Sequence, residues 1–441
     1  MRSWRSATRT GRRSPGTTEP VRARSIDHTE LAELLRRALA GAHTVVLPPT
    51  RDGQVTVVDP HHYDDAGTGR RPPALVVHTS GTTGPAKGVA LSAQALTASA
   101  RATEGILGGP GRWYLALPVN HIAGAQVVLR SLQAQTVPFA ARGPFTAQSF
   151  TADVMALQEA ALHMIASSGP AGPLYTALVP TQLTRIMADP VAAELARAFD
   201  AILLGGAAIS PSLLTRAASA GLNIVRTYGM SETCGGCVYD GIPFADVDVS
   251  INDAGRVVLS GAVLADGYVD VTGGRLRALP DPETGPGSGF TTGDDGTRRF
   301  VTSDLGTITD GVLSVLGRAD DVVISGGENI SPLAVENTLL AALEAAGVRE
   351  VLITGVPDAE WGEVLACAIV TDRPGTTDGG PVATARALAE RLTASVPDLP
   401  SLHRPVYAVE LDALPATGLG KPDRRALRRQ LVERLGLAER T

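Results

Sequence analysis

The fold class follows from the stretch AILLGGAAISPSLLTRAASAGLNIVRTYG, residues 201–229. An apolar run comes first, and Ser210 and Pro211 then suit the N-cap and the first position of a helix. Gly221 suits the end of that helix, and a second apolar run begins at Asn223. A strand, a helix and a strand in this order predict a βαβ unit with parallel strands. We therefore expect an α/β protein.

The same alternation continues on both sides of this stretch. A helical pattern begins at Asp27, and a strand at 74–78 precedes a helix near 92–103. After Gly317 the elements form a smaller mixed unit, which we predict as helix 332–346, strands near 350–355 and 364–371, helix 383–396, strand 405–410 and helix 423–435. We predict an Arg-rich tail (1–26) that is disordered or reflects an overextended start codon, a large N-terminal domain of layered α/β sheets (27–318) and a small α+β C-terminal domain (319–441).

Composition excludes several classes of protein. The chain has 441 residues, and 39 basic against 45 acidic side chains give a net charge of −6. This mild negative charge argues against nucleic acid or an anionic membrane as the main partner. Three cysteines cannot form a disulfide framework, and no apolar run reaches the about 20 residues that span a bilayer. We expect a soluble cytoplasmic protein with small-molecule partners, and the sequence leaves a homodimer open.

Lysine is scarce in this chain and marks two sites. Of the 39 basic residues 37 are Arg, and the two lysines are Lys87 and Lys421. Lys87 ends the segment TSGTTGPAK (79–87), which follows a predicted buried strand and precedes a predicted helix. Amides and hydroxyls in such a loop can hold phosphate oxygens, and the ammonium group adds positive charge. The segment is not a Walker A motif, because Gly88 stands where that motif needs Ser or Thr.

A second segment carries chemistry at the end of the second predicted strand. YGMSET (228–233) places an aromatic ring, a hydroxyl and a carboxylate close together at the edge where α/β sheets bind ligands. The chain also contains the segments LPVNHIAG (117–124), LLGGAAIS (203–210), TSDLG (302–306), GRADDVVISGGENISP (317–332) and LPATGLGKPDRR (414–425).

In their order along the chain, these seven segments resemble the motifs of the acyl-adenylate-forming ligases, the superfamily of acyl-CoA synthetases, peptide-synthetase adenylation domains and firefly luciferase. The resemblance covers roughly residues 74–430. It implies ATP, Mg²⁺ and coenzyme A as cofactor and co-substrates and a carboxylic acid as substrate. The stretch VRTYGMSETCGGCVYDG (225–241) resembles the actinobacterial type of 2-succinylbenzoate–CoA ligase from menaquinone biosynthesis. We expect that activity, with another aryl or short acyl-CoA ligase as the alternative.

The resemblance also implies roles for individual residues. Lys421 becomes the adenylation lysine, Lys87 a second catalytic cation, and Glu232 a catalytic residue and the magnesium ligand. Tyr228 would stack on adenine and Ser231 would contact the α-phosphate. Asp320 would be the hinge about which a mobile C-terminal domain rotates. Asp304 and Arg318 would bind the ribose. The remaining expected nucleotide contacts are Thr79, Ser80, Gly81, Thr82, Thr83, Gly84, Gly205, Gly206, Ala207 and Gly229. The expected acid-substrate contacts are His121, Arg185, Gly229 and Gly235.

Several alternatives stay open from the residues alone. His121 is equally well explained as a buried, hydrogen-bonded histidine. A carrier-loading adenylation protein or a non-catalytic acyl-AMP binder is a further alternative, although a carrier-loading module usually has fused carrier domains and a non-catalytic binder is expected to lose Lys421 or Glu232. Cys234 and Cys237 do not indicate a zinc site, because zinc needs four ligands. The chain departs from the family motifs at Pro85-Ala86, Ser303 and Ser231.

Overall fold

The structure is a computed structural model that describes residues 27–50, 53–78, 87–168, 172–281, 289–371, 381–416 and 422–437. The helices are α1 His28–Leu39, α2 Ala93–Leu107, α3 Ile122–Gln133, α4 Ala147–Ser168, α5 Pro180–Met187, α6 Pro190–Leu195, α7 Pro211–Ser219, α8 Pro332–Leu343, α9 Pro381–Ala394 and α10 Arg424–Leu435.

The strands are, in chain order, β1 Thr44–Val46, β2 Thr56–Val58, β3 Tyr63–Asp64, β4 Leu75–His78, β5 Gly88–Leu91, β6 Arg112–Leu115, β7 Phe139–Ala140, β8 Leu174–Leu178, β9 Ala201–Gly205, β10 Ile224–Met230, β11 Gly235–Tyr239, β12 Ile242–Pro243, β13 Val247–Ile251, β14 Arg256–Gly261, β15 Gly267–Thr272, β16 Arg275–Ala278, β17 Gly289–Thr292, β18 Arg298–Thr309, β19 Val312–Arg318, β20 Val323–Ser325, β21 Glu328–Ile330, β22 Val348–Asp358, β23 Gly362–Thr371 and β24 Tyr407–Glu410.

These strands form four sheets. The first sheet has the order β2-β1-β4-β5-β15-β16-β3 and the second β12-β11-β10-β9-β8-β6-β7. The third contains β13, β14, β18 and β17, with β19 paired to β18. The fourth contains β21, β20, β23 and β22, with β24 paired to β23. The α/β fold class that the sequence predicts is confirmed.

The predicted βαβ unit forms the centre of the second sheet. β9 and β10 are parallel and pair Ile202 with Ile224, and α7 connects them. Ser210 caps this helix by accepting from the amide of Leu213, and Pro211 occupies its first position. Gly221 follows the helix with a φ of +77°, a left-handed conformation that glycine adopts without strain. The local sequence therefore specifies both ends of α7.

Alternating side chains bury both faces of the second sheet. Trp113 and Leu203 contribute to a core shared with α1, α2, α3 and the first and third sheets. Their neighbours Tyr114 and Leu204 point the other way, into a core with α4, α5, α6 and α7. Helices therefore cover both faces of a largely parallel sheet, whose strand ends carry the candidate site.

The fourth sheet has its own core and lies within the smaller predicted domain. One face packs α8 and α9 through residues such as Leu339 and Ala389, and the other packs α10 through Leu427 and Leu431. The third sheet ends at Arg318 and the fourth begins at Val323. The domain boundary at 318–319 and the mobility of the small domain stay predictions.

No helix in the described part of the chain is long and apolar enough to cross a membrane. The predicted tail, 1–26, lies outside the described residues, as do the loop residues Thr79, Ser80, Gly81, Thr82, Thr83 and Gly84, the adjoining Pro85-Ala86 and the lysine Lys421. Their proposed roles stay predictions.

Candidate functional site

Three polar side chains meet where the second and third sheets come together. The Tyr228 hydroxyl on β10 donates to Oδ2 of Asp304 on β18 over 2.8 Å. Asp304 pairs across the sheet with Arg318 on β19, whose Nη1 lies 3.5 Å from Oδ1. Burial and the Asp304 carboxylate raise the pKa of Tyr228, so the hydroxyl stays protonated and donates. The fold thus brings together an aromatic ring, a carboxylate and a guanidinium that are far apart in sequence. We call these three residues the Tyr228 cluster.

Arg318 also binds the residue predicted as the hinge. Its Nη2 and Nε lie 2.8 and 3.1 Å from the two carboxylate oxygens of Asp320. Burial alone would lower the pKa of Arg318, but the Asp320 and Asp304 carboxylates outweigh that effect and raise it. The guanidinium therefore stays charged and connects the Tyr228 cluster to the residue predicted as the hinge.

Glu232 lies on the neighbouring turn, Ser231–Thr233, directly after β10. Its Oε1 accepts the hydroxyl of Tyr268 on β15 over 3.0 Å, and its backbone carbonyl accepts from the amide of Ala265 over 2.8 Å. Burial and the carboxylate raise the pKa of Tyr268, which therefore remains a donor. Lys87 lies over the same ring, with its Nζ 5.8 Å from the centroid. Tyr268 thus brings the end of the predicted phosphate loop near the predicted metal ligand.

Glycines allow the backbone to approach closely beside this turn. Gly229 has a φ of +159°, and a Cβ there would lie 2.0 Å from the Gly235 carbonyl oxygen. A Cβ on Gly205 would lie 2.2 Å from Oγ1 of Thr227. Gly206 follows with a φ of +81°, and Ala207 comes next in the loop after β9. Glycine is therefore needed at positions 205 and 229, because a Cβ at either position would collide with the neighbouring strand.

The predicted acid-binding residues fall in two places. His121 is the N-cap residue of α3, and Ile122 of that helix lies next to Gly235: a Cβ on Gly235 would lie 3.8 Å from Ile122 Cγ1. Arg185 is exposed on α5 and donates to the carbonyl of Phe145 over 3.1 Å. His121 and Gly235 therefore belong to one region of the structure, whereas the contact of Arg185 is with the loop before α4. The substrate role of all three stays a prediction.

The three cysteines are buried and form no disulfide. Among the described residues, no group of three or more His, Cys, Asp or Glu side chains is arranged to hold a metal ion. Burial raises the pKa of Cys237 to about 12, so the group is a neutral thiol at physiological pH. Glu232 offers one carboxylate, whose oxygens are hard ligands. One carboxylate together with substrate phosphates is the ligand set that Mg²⁺ commonly uses, so Glu232 fits that ion.

Sequence reasoning did not find Tyr268. It comes from an antiparallel strand, β15, that pairs with β5 in the first sheet, and no motif surrounds it. A contact between residues 232 and 268 depends on how the two sheets pack, which local sequence patterns do not encode.

Comparison with known proteins adds to this geometry. The family described as AMP-binding enzyme matches residues 21–273, and the AMP-binding enzyme C-terminal domain matches residues 335–421. The chain is 41% identical over 363 residues to a probable 2-succinylbenzoate–CoA ligase of Mycobacterium tuberculosis, covering 81% of this chain and 85% of that one. It is 31% identical over 396 residues to an indoleacetate–CoA ligase of Aromatoleum aromaticum, covering 86% and 71%.

The fold of this chain is also similar to that of a solved structure. The o-succinylbenzoate CoA synthetase from Bacillus subtilis, in complex with the acyl-adenylate intermediate, has a TM-score of 0.59 and 25% identity, covering 80% of this chain and 69% of that one.

Proposed function

This chain belongs to the AMP-binding enzyme family, and we propose that it is an AMP-forming acid–CoA ligase whose acid is 2-succinylbenzoate. The observation that carries the choice of acid is the 41% identity to the probable 2-succinylbenzoate–CoA ligase, which extends over 81% of this chain. The reaction has two steps. The substrate carboxylate attacks the α-phosphorus of ATP and releases pyrophosphate, and the thiol of coenzyme A then attacks the acyl carbon and releases AMP.

The Tyr228 cluster supports the part of the proposal that concerns the adenosine of ATP. The ring of Tyr228 offers a face for adenine, while Asp304 accepts and Arg318 donates hydrogen bonds, as two neighbouring ribose hydroxyls require. The hydrogen bond from Tyr228 to Asp304 holds the ring and the carboxylate in one arrangement. These residues bind and orient the nucleotide, and their contribution is expected mainly in the KM for ATP.

The residues around Glu232 support the part of the proposal that concerns the phosphates of ATP. Mg²⁺, when bound, would neutralise charge on the phosphates, and Glu232 is the residue that would hold it. Lys87 adds an ammonium group near the same turn, and Lys421 is the proposed cation for the first transition state. Because AMP is a good leaving group, the second step needs little acid or base chemistry from the protein. Binding of coenzyme A belongs to this proposal.

The acid is tested by comparing two substrates that differ in one group. A second carboxylate buried without a partner would be costly, so a site built for 2-succinylbenzoate must hydrogen-bond or neutralise it. We expect 4-phenyl-4-oxobutanoate, which lacks that carboxylate, to show a kcat/KM lower by at least about 100-fold. The measurement is ATP–pyrophosphate exchange and thioester formation with each acid.

The outcomes separate the alternatives. Equal turnover of the two acids would reject 2-succinylbenzoate specificity and favour a general aryl-acid ligase, for which indoleacetate is an informative third substrate given the 31% identity to an indoleacetate–CoA ligase. Pyrophosphate exchange without any thioester would favour a carrier-loading adenylation protein. No exchange with any acid would favour a non-catalytic binder.

A further inference from the structure

The turn after Glu232 is fixed by two side chains from outside the predicted motifs. The carbonyl of Cys234 accepts a 2.8 Å hydrogen bond from Nε2 of Gln126 on α3 and a 3.1 Å bond from Oγ of Ser99 on α2. Gln126 is 1% exposed and Ser99 is fully buried. Two helices therefore hold one peptide group of the turn in a place that water does not reach.

The held peptide is strained. Cys234 has a φ of +54°, a left-handed conformation that costs energy for a residue with a Cβ. Its side chain is completely buried, so it cannot move out to relieve the strain. Such a conformation persists when the surroundings hold it, and the two hydrogen bonds to its carbonyl contribute to this together with the 2.7 Å bond from Thr233 Oγ1 to the Gly235 carbonyl.

The strained peptide joins the two halves of the proposed site. It follows Glu232 by two residues and precedes Gly235, whose carbonyl lies against Gly229. Gln126 also forms part of this surface, because a Cβ on Gly235 would lie 3.6 Å from Gln126 Cγ and 3.8 Å from Ile122 Cγ1. A shift of the Cys234 carbonyl would therefore move the Gly235 backbone relative to α3, the helix that begins at His121.

We propose that Gln126 is a positioning residue for acid binding: its amide holds the Cys234 carbonyl, and thereby sets where the Gly235 backbone lies against α3. The proposal rests on the proposed function, since it assigns Gly235 and His121 to the acid-binding region. Gln126 itself has no part in the chemistry. Its effect should appear mainly in the KM for the acid, because Gly235 lies directly against α3, whereas Asp304 and Arg318 lie on the separate pair β18 and β19.

The test is Gln126→Met, which preserves the length of the side chain and removes its donor. We expect the KM for 2-succinylbenzoate to rise about tenfold, the size of effect expected when a buried carbonyl loses one hydrogen bond, and the KM for ATP to change less than twofold. Ser99→Ala removes the other donor and should act in the same direction. Gln133→Met is the matched control, because Gln133 lies on the same helix seven residues later, and it should leave both constants unchanged.

A second measurement does not need activity. Hydrogen–deuterium exchange of the segment 229–239 in the ligand-free protein should rise in Gln126→Met and not in Gln133→Met. Equal increases of both KM values, or unchanged exchange in Gln126→Met, would overturn the positioning role. If the wild-type protein activates no acid, the proposed function fails, and the exchange measurement still decides whether Gln126 holds the turn.

Discussion

At the scale of single residues, the site depends on the charge of Glu232. Its carboxylate accepts the Tyr268 hydroxyl, and Glu232→Gln retains an oxygen that can accept the same bond while removing the charge. We expect pyrophosphate exchange to fall by at least about 100-fold, because the proposed site loses the charge that would hold Mg²⁺ on the phosphates. Exchange rates at saturating acid, with magnesium titrated, measure this.

Two companion variants make the result specific. Tyr268→Phe removes only the hydrogen bond and should lower the rate by about tenfold or less. Glu30→Gln, at an exposed position on α1, should have no effect. An unchanged rate in Glu232→Gln, with unchanged magnesium dependence, would contradict the assignment of Glu232 as metal ligand.

Residues within motifs could be found from the sequence, whereas their partners could not. Asp304 and Arg318 were predicted to act together, and the structure pairs them directly across β18 and β19. Tyr268, Gln126 and Ser99 contact the site from strands and helices with no distinctive local pattern. Which residue of an ordinary helix faces a turn about 100 residues away depends on packing between layers, so no local signal identifies it.

At the scale of elements, a buried ion pair joins α10 to α8 and β22. The Arg424 guanidinium binds both carboxylate oxygens of Glu336 on α8 and the carbonyl of Ile353 on β22, and its Nε lies 3.2 Å from Asp321. Arg424→Ala would leave Glu336 buried without its cation. We expect the free energy of unfolding to fall by about 3 kcal/mol, as for other broken buried pairs.

The pH dependence of that loss has a defined sign. Burial already raises the pKa of Glu336, and Arg424 opposes this shift. Without Arg424 the folded-state pKa rises further above its unfolded value, so the variant binds a proton more readily when folded. The free energy of unfolding of Arg424→Ala should therefore fall as pH rises through the folded-state pKa of Glu336, and it should recover in acid.

Urea unfolding of Arg424→Ala and the wild-type protein at pH 5 and pH 8 measures this effect. The deficit should be larger at pH 8. Arg429→Ala, at an exposed position on the same helix, is the matched control and should change stability by less than about 0.5 kcal/mol. Equal deficits for the two variants would show that Arg424 contributes no more than a surface arginine.

Elements with strong local signals were predicted well. The helix predicted over 332–346 is α8 at Pro332–Leu343 followed by a 3₁₀ turn, and the strands predicted near 350–355 and 364–371 are the longer β22 and β23. Sequence patterns did not predict the individual strands of the third sheet. Its strands lie between turns rich in Gly and Asp, and the pairing of β18 with β19 shifts register between Leu305 and Gly306, which a simple alternation of apolar and polar residues does not predict.

At the scale of the whole molecule, the two half-reactions are proposed to need two arrangements of the small domain. Lys421→Ala should reduce adenylation by at least about 100-fold and leave thioester formation from supplied acyl-AMP largely intact, because the ammonium acts on the first transition state alone. Single-turnover assays of each half-reaction separate the two effects. Equal loss in both would argue against that role.

Asp320→Pro should produce the opposite pattern. Asp320 lies between the third and fourth sheets and binds Arg318 through its carboxylate, so substitution removes an ion pair as well as backbone freedom. Asp320→Ala removes only the ion pair and is the matched control. Because proline fixes φ, we expect Asp320→Pro to slow thioester formation at least about tenfold beyond Asp320→Ala, with adenylation similar in the two variants. Identical rates in the two variants would show that rotation at Asp320 does not limit the second step, and the hinge would then have to lie elsewhere between Arg318 and Val323.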